Sequence, residues 1–500
     1  MNEAMEMLIE NISENESPKT VLNRAIKAVL DEAQSPTQAK IKAIAALLAN
    51  IEAVDLTKVC ESLGWRSGSD NDQPKQKHIK VAIVDTLIET AKKHNWHIIH
   101  DAGFFYIFNG AYWVALLDSE VKQLLKDAAV KMGYTEIECR DAAFVDKLFQ
   151  QAVQDGFFIE RNYAKQSIIN LKNGSLLLDQ YGVTLKPFDY RDFLTHQLDF
   201  CYAPTAINKP FLTYLEQVLP DQDTRKTLQQ VAGYLFVKGL RMEKVFFLFG
   251  TGANGKSVFF EVINGVIGSD NISNYSLESL TDDKGYHRAM IKDKIVNYGT
   301  DIRLTKIDAG MFKTLASGEP IEARLPYREP FLMTDYAKLI FNVNKMDSAN
   351  IEHPHGFYRR LLVIPFSKTI ADEDQDRDLH TKILANRAGV LNWLVAGAEQ
   401  VIKSRNIFIS TECEQFKQQF IKETDSVAMF EDDNLEDMQG HIYFETVSNA
   451  YRDYKSFCMD AGHRPLGRNN FVKRMESLGF EKSHKAAGRA LEKHYLEKRL

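Results

Sequence analysis

The residues best suited to chemistry lie in one run, GTGANGKS, from Gly250 to Ser257. The spacing is GxxxxGK[ST], the pattern of a loop that cradles phosphates. Gly250, Gly252 and Gly255 let backbone amides turn toward an anion, and Thr251, Ala253 and Asn254 add their own N–H groups to the cradle. Lys256 is placed to meet the β and γ phosphates, and Ser257 to put its hydroxyl on Mg²⁺. Val258 opens the helix whose dipole would face the anion. The chemistry implied is binding of ATP with Mg²⁺. The loop does not name the reaction, because kinases, GTPases and transporters use it too.

The flanking sequence must position that loop. VFFLF, Val245–Phe249, reads as a strand buried on both faces, and SVFFEVINGVIG as the following helix. An NTP hydrolase also needs an acid at the end of a neighbouring strand, and KIVNYGTDI offers Asp301, with Asp293 and Asp308 as weaker rivals. Asn297 and Tyr298 interrupt the apolar run before it. KLIFNVNKM is a third strand, ending in Asn344, whose amide could hold a lytic water or the γ phosphate. GFYRRLLVIPF then presents Arg359 and Arg360 before a further strand, and guanidinium forks suit phosphate. A lone acid at a strand end also reads as a cap, and an asparagine after a strand as an ordinary turn residue.

Their order is more specific than any one of them. GTGANGKS, LASGEPIEARLPYREPF, LIFNVN and GFYRRLLVIPF together resemble the superfamily-three helicases, in particular the phage and plasmid primase-helicase type related to the poxvirus nucleoside triphosphatase. The resemblance spans roughly residues 211–368, with weaker likeness from about His78 and in the C-terminal module. It implies an α/β AAA+-type P-loop ATPase core that moves along a single DNA strand as a homo-hexamer. On that resemblance Lys256 and Ser257 are the Walker A pair, Asp301 the Walker B acid with Ser257 on the metal, and Asn344 the first sensor. Arg359 or Arg360 is then the arginine finger, reaching a nucleotide on the neighbouring subunit. Thr300 stands where relatives often carry a second acid.

Two regions suit nucleic acid. PIEARLPYREPF carries Arg324, Tyr327 and Arg328 among three prolines, charge for phosphates and a ring for a base, and in the resembling family a hairpin here lines the central channel. Lys313 is a weaker candidate nearby. The last forty residues, Ala461–Leu500, hold ten Lys+Arg against four Asp+Glu in a chain of net charge -6. PLGRNNFVKRMESLGF reads as a helix with Arg468, Lys473 and Arg474 beside an apolar face, consistent with the winged-helix module that ends many such helicases.

The rest of the 500 residues supplies scaffold and exclusions. The pattern divides into a helical region (1–66), a linker at Ser67–Lys77, an α+β collar (78–205), the motor (206–400) and a module at 440–500. Hairpins are expected at Asn109-Gly110 and Asn173-Gly174, and a solvated acidic joint around Glu423–Asp437. Five scattered cysteines without a CxxC pair argue against a disulfide framework or zinc ribbon and fit a reducing cytoplasm. No run approaches the ~20 apolar residues of a membrane span. His94, His97 and His100 read as strand or core residues rather than metal ligands, and no primase centre is visible in the first 200 residues, so a separate primase or polymerase is an expected partner. The reading is a replicative DNA helicase of a phage or mobile element acting on single-stranded or forked DNA. A DNA motor or loader that does not unwind, and an ATP-gated assembly scaffold, are the alternatives.

Overall fold

A computed structural model of the chain describes residues 36–69, 72–94, 96–101, 103–155, 166–300, 307–326, 329–344, 354–435, 442–463, 465–485 and 488–494. It forms two compact units, one running to Pro204 and including Phe236–Gly239, the other made of Thr205–Leu235 and the chain from Leu240 onward. Among the described residues, no helix is long and apolar enough to cross a membrane.

The first unit contains α1 (Pro36–Ala49), α2 (Leu56–Ser62), α3 (Gln76–Lys93), β1 (His97–Asp101), β2 (Phe104–Phe108), β3 (Trp113–Leu116), α4 (Asp118–Lys131), α5 (Glu136–Cys139), α6 (Ala142–Asp155), β4 (Ser167–Leu171), β5 (Gly174–Asp179) and β6 (Gly182–Lys186). One apolar core joins Ala43, Leu47 and Ile51 to Ile83, Leu87, Leu124 and Leu148. The polar stretch after Arg66 is exposed, but α1 and α2 lay their apolar faces into the same core as α3, α4 and α6. Both expected hairpins form. Asn109 accepts from the amides of Ala111 and Tyr112 in the β2–β3 turn, and Leu171 pairs with Gly174 across the β4–β5 turn. His97 and His100 lie on β1, and His97 stacks on Tyr190 at 4.0 Å between ring centroids.

In the second unit, α7 (Lys209–Val218) and α8 (Gln222–Tyr234) precede β7 (Val245–Phe249) and α9 (Lys256–Ile267). Asn208 and Asp221 cap the two leading helices through the amides of Phe211 and Thr224. Next come β8 (Ile272–Ser273), α10 (Leu277–Leu280), α11 (Tyr286–Ala289), β9 (Val296–Gly299), α12 (Ala309–Ser317), β10 (Ile321–Ala323), β11 (Phe331–Met333), β12 (Lys338–Val343), α13 (Pro354–Tyr358) and β13 (Leu361–Pro365). The five-stranded sheet has the order β13-β7-β12-β9-β8, with every neighbouring pair parallel. All five residues of β7 and of β13 are buried, as their unbroken apolar sequences require.

The polar pair in β9 has a structural role. Asn297 accepts from the Ser273 hydroxyl at 3.0 Å and the Tyr275 amide at 2.9 Å, and donates to the Tyr275 carbonyl at 2.9 Å. Tyr298 donates to Asn342 of β12 at 3.2 Å and packs edge-on against Phe260. These side chains fasten β9 to its surroundings on both sides, and each buried polar atom that they use has a partner.

The chain continues through α14 (Leu379–Leu384), α15 (Arg387–Ser404), α16 (Thr411–Thr424), α17 (Ser426–Leu435), β14 (Ile442–Thr446), α18 (Val447–Asp460), α19 (Arg468–Ser477), β15 (Glu481–Lys485) and β16 (Gly488–His494). Helix α16 covers the sheet with Phe416 and Phe420, against Phe249 and Phe247. The acidic stretch expected to be a solvated joint is α17 instead. Val427 and Phe430 bury into a core with Ala450, Tyr454, Phe471 and Met475, so the C-terminal module packs from Val427 rather than from residue 440. Charge counting missed this, because the acids flank apolar residues spaced to fill one face of a helix. The module's sheet is antiparallel, in the order β14-β16-β15.

Candidate nucleotide site and nucleic-acid surfaces

The phosphate-type loop leaves the C-terminal end of β7, where parallel α/β sheets place their ligands. Gly255 caps α9 with φ 83°, a conformation that L side chains rarely adopt. A Cβ there would also lie 2.6 Å from Val218 Cγ1 and 3.1 Å from the Tyr214 ring. Tyr214 of α7, wholly buried, donates its hydroxyl to the Gly255 carbonyl at 2.7 Å, so a helix remote in sequence fixes the last peptide of the loop. Gly250 is tight for another reason: a Cβ at this position would fall 2.8 Å from the Phe366 carbonyl oxygen and would also displace the Asn254 side chain. Gly252 has φ 119° with open space around its Cα, and Thr251, Gly252 and Ala253 are exposed.

Lys256 is only 4% exposed. Its ammonium donates to the Gly250 carbonyl and to Asn254 Oδ1 at 3.1 Å, and burial holds its pKa down at about 8. Ser257 is exposed and Val258 half-buried at the start of α9. Asn344 follows β12 directly and is exposed. The amide of Gly250 donates to the Val343 carbonyl at 3.1 Å, so Asn344 leaves the sheet beside the first residue of the loop. Asp301 lies outside the described residues. Of its rivals, Asp293 pairs with Lys292 at 2.7 Å, and Asp308 caps α12 through the Met311 amide at 2.6 Å. Among the described residues, no group of three His, Cys, Asp or Glu could hold a metal ion by itself.

Arg359 and Arg360 stand at the other end of the strands. Leu361 pairs with Val245, so both arginines sit at the N-terminal end of β7, about 16 Å of strand from the loop. Arg360 is buried. It donates to the Gly356 carbonyl at 2.9 Å and the Ser317 hydroxyl at 3.2 Å, with Glu243 3.6 Å away. Arg359 is exposed, and its carbonyl accepts from Lys244 at 2.6 Å. Burial, followed by the positive charge of Lys417, lowers the Lys244 pKa, against the opposing pull of Glu414.

At either end of the run PIEARLPYREPF, β10 and β11 pair antiparallel with Ala323 opposite Phe331. Arg324 is exposed just after β10, while Tyr327 and Arg328 lie outside the described residues. The hairpin's base rests on a residue that the sequence did not single out. Arg288, 3% exposed, donates to the carbonyls of Leu280 at 3.2 Å, Glu322 at 3.1 Å and Asp282. A lone arginine in HRAM carries no pattern to reveal that role.

On the C-terminal module, Arg468 and Lys473 are exposed on α19, and Arg468 donates to the Ser448 hydroxyl at 2.8 Å. Arg474 does not share their surface. It turns inward to pair with Asp425 at the junction of α16 and α17.

Two family models match the chain. Residues 248–360 match a family of unknown function (DUF5906), and residues 422–498 match one described as Poxvirus D5 protein-like. The poxvirus-like match covers the C-terminal module and starts near the end of α16. A protein of Acanthamoeba polyphaga mimivirus, named as a helicase, is 25% identical over 167 residues, covering 31% of this chain and 16% of the relative's length. Two solved structures of the NrS-1 C-terminal region align with TM-scores of 0.48 and 0.47 at 10% and 12% identity. They cover 82% and 81% of this chain and 98% of each matched chain.

Proposed function

Because the chain is superfamily-three primase-helicase-like, we propose that it is an ATP-dependent replicative DNA helicase of a phage or mobile element, working as a hexameric AAA+ ring on single-stranded or forked DNA. The observation that carries the reading is the strand order. It sets the loop of Lys256 beside Asn344, between the strand that ends in that asparagine and the strand that begins after the arginine pair. Lys256 and the loop amides would hold the phosphates of ATP. Ser257 and Asp301 would hold Mg²⁺, and the exposed Ser257 hydroxyl suits that ion's preference for oxygen. When bound, Mg²⁺ neutralises charge on the transferring phosphate.

The remaining roles follow from placement. Arg359, exposed and a strand's length from its own loop, suits a finger that reaches a neighbour's nucleotide, and this supports assembly. The β10–β11 hairpin would track the strand in the ring's channel, with Arg324, Tyr327 and Arg328 as the residues proposed to touch DNA. The module from α17 to β16 runs helix, strand, two helices, then two strands, which is the order of a winged helix, with α19 as the DNA-facing helix. A separate primase or polymerase would complete the machinery in the host cytoplasm.

The test is ATP hydrolysis with and without single-stranded DNA, alongside unwinding of a forked duplex, for the wild type and Lys256→Ala. DNA-stimulated hydrolysis and strand separation, both lost in the variant, are expected. Stimulated hydrolysis that leaves the fork intact would replace the helicase by a loader or packaging motor. Absence of hydrolysis would replace it by an ATP-gated scaffold.

A further inference from the structure

Asp425 occupies the single residue between α16 and α17, and its groups serve both helices and a third. Its amide donates to the Ile421 carbonyl at 3.0 Å, closing α16. Its Oδ1 accepts from the amides of Val427 at 3.0 Å and Ala428 at 3.2 Å, opening α17. The other carboxylate oxygen takes the guanidinium of Arg474, from the middle of α19. The pair is well enclosed, with the Asp425 side chain 4% and the Arg474 side chain 14% exposed. Arg474 also donates to the Ser477 hydroxyl at 2.7 Å, which holds its fork in place.

The far part of α16 leads to the nucleotide loop. Phe416 packs on Phe249 with 4.9 Å between centroids, and Phe249 is the residue before Gly250. Between Phe416 and Asp425 the chain is continuous helix, rising about 1.5 Å per residue and stiff over that length. One apolar contact at the base of the loop and one ion pair to the middle of α19 therefore share a helix. A larger core alone would join the module to the motor without a buried charge, and burying a charge pair gains little stability over apolar packing. The pair fixes direction instead, because a guanidinium held to one carboxylate oxygen sets the rotation of α19 and so the aim of Arg468 and Lys473.

We propose that Asp425 and Arg474 are positioning residues that couple the nucleotide loop to the DNA-facing surface of α19, so that the state of the nucleotide changes the grip of this module on duplex DNA. This rests on the reading of α19 as a DNA-binding helix. The coupling is reciprocal, so DNA on α19 also shifts nucleotide affinity by the same factor.

The experiment measures binding of a fluorescent DNA duplex by the full chain, once with ADP and once with a non-hydrolysable ATP analogue. Asp425→Asn keeps the helix cap and removes the charge, the double variant Asp425→Asn/Arg474→Gln removes both charges, and Arg474→Lys keeps the charge pair. Arg468→Ala/Lys473→Ala serves as the surface control. The wild type is expected to bind with affinities differing about 5-fold or more between nucleotides. The ratio falls toward one in the first two variants and survives in Arg474→Lys, while basal ATP hydrolysis reports that each chain is folded. The surface control weakens both affinities and keeps the ratio. A wild-type ratio of one, or a wild-type ratio retained by the double variant, overturns the coupling. Unchanged affinity in the surface control instead removes the DNA-binding reading of α19, a separable failure.

Discussion

The two adjacent arginines make a sharp test, because the structure gives them opposite surroundings. Arg360→Ala removes a buried guanidinium that makes two charge-assisted hydrogen bonds, to the Gly356 carbonyl and the Ser317 hydroxyl. Each such bond contributes about 1.5–3 kcal/mol, and the half-exposed Glu243 at 3.6 Å adds little. The expected loss is about 3–6 kcal/mol, read as a fall of several degrees in Tm. Arg359→Ala removes an exposed side chain, so stability should stay within about 0.5 kcal/mol. If Arg359 is the finger, hydrolysis falls by about 10³-fold or more while binding of a fluorescent ATP analogue is kept. The assay pairs thermal melting with ATPase rates and nucleotide titration. Two variants of equal stability and equal activity would refute both assignments, and a strongly destabilised Arg359→Ala would refute the burial argument by itself.

Three further outcomes are expected. Burial holds Lys256 at about 8, below the 10.5 of an unfolded chain, so the unfolded state binds more protons between these values and this lysine's contribution to stability rises with pH across that window. A phosphate beside it favours the charged form, so nucleotide affinity, measured by calorimetry, should fall by up to about tenfold per pH unit above 8; a flat profile from pH 7 to 10 counts against the role of Lys256. Gly255→Ala places a Cβ against Val218 and Tyr214 at φ 83° and should abolish binding of the same fluorescent analogue, whereas Tyr214→Phe should weaken it by roughly tenfold, the value of about one hydrogen bond. Arg288→Met removes the bond to the Glu322 carbonyl of β10 together with those to Leu280 and Asp282, and should reduce DNA-stimulated hydrolysis far more than basal hydrolysis; equal losses in both would make Arg288 a general stability residue.

What could be read from the sequence was whatever depends on near neighbours in the chain. The strand and helix flanking the Lys256 loop, the neighbouring strands and both Asn-containing hairpins follow from local backbone demands, and each stands where the pattern put it. Side chains whose partners are distant in sequence were misread or missed. Asn297 and Tyr298 looked like flaws in a strand until Ser273, Tyr275 and Asn342 supplied their partners. Arg474 looked like one of three basic residues on a helix, and only Asp425, 49 positions earlier, turns it inward. Acid density hid α17, because a charge count ignores the apolar residues between the acids. The poxvirus-like match from residue 422 marks nearly the same boundary as the packing does.

The shared core of the first unit also bears on what cleavage would do. Residues 66–69 are exposed, so a protease has access there, yet Ala43, Leu47 and Ile51 on one side of the cut pack with Ile83 and Leu87 on the other. A nick at that point would leave two fragments that migrate separately only after denaturation, a clipped protein that still elutes as one species. Deleting the first segment outright would instead bare the apolar faces of α3 and α4 and send the remainder toward aggregation.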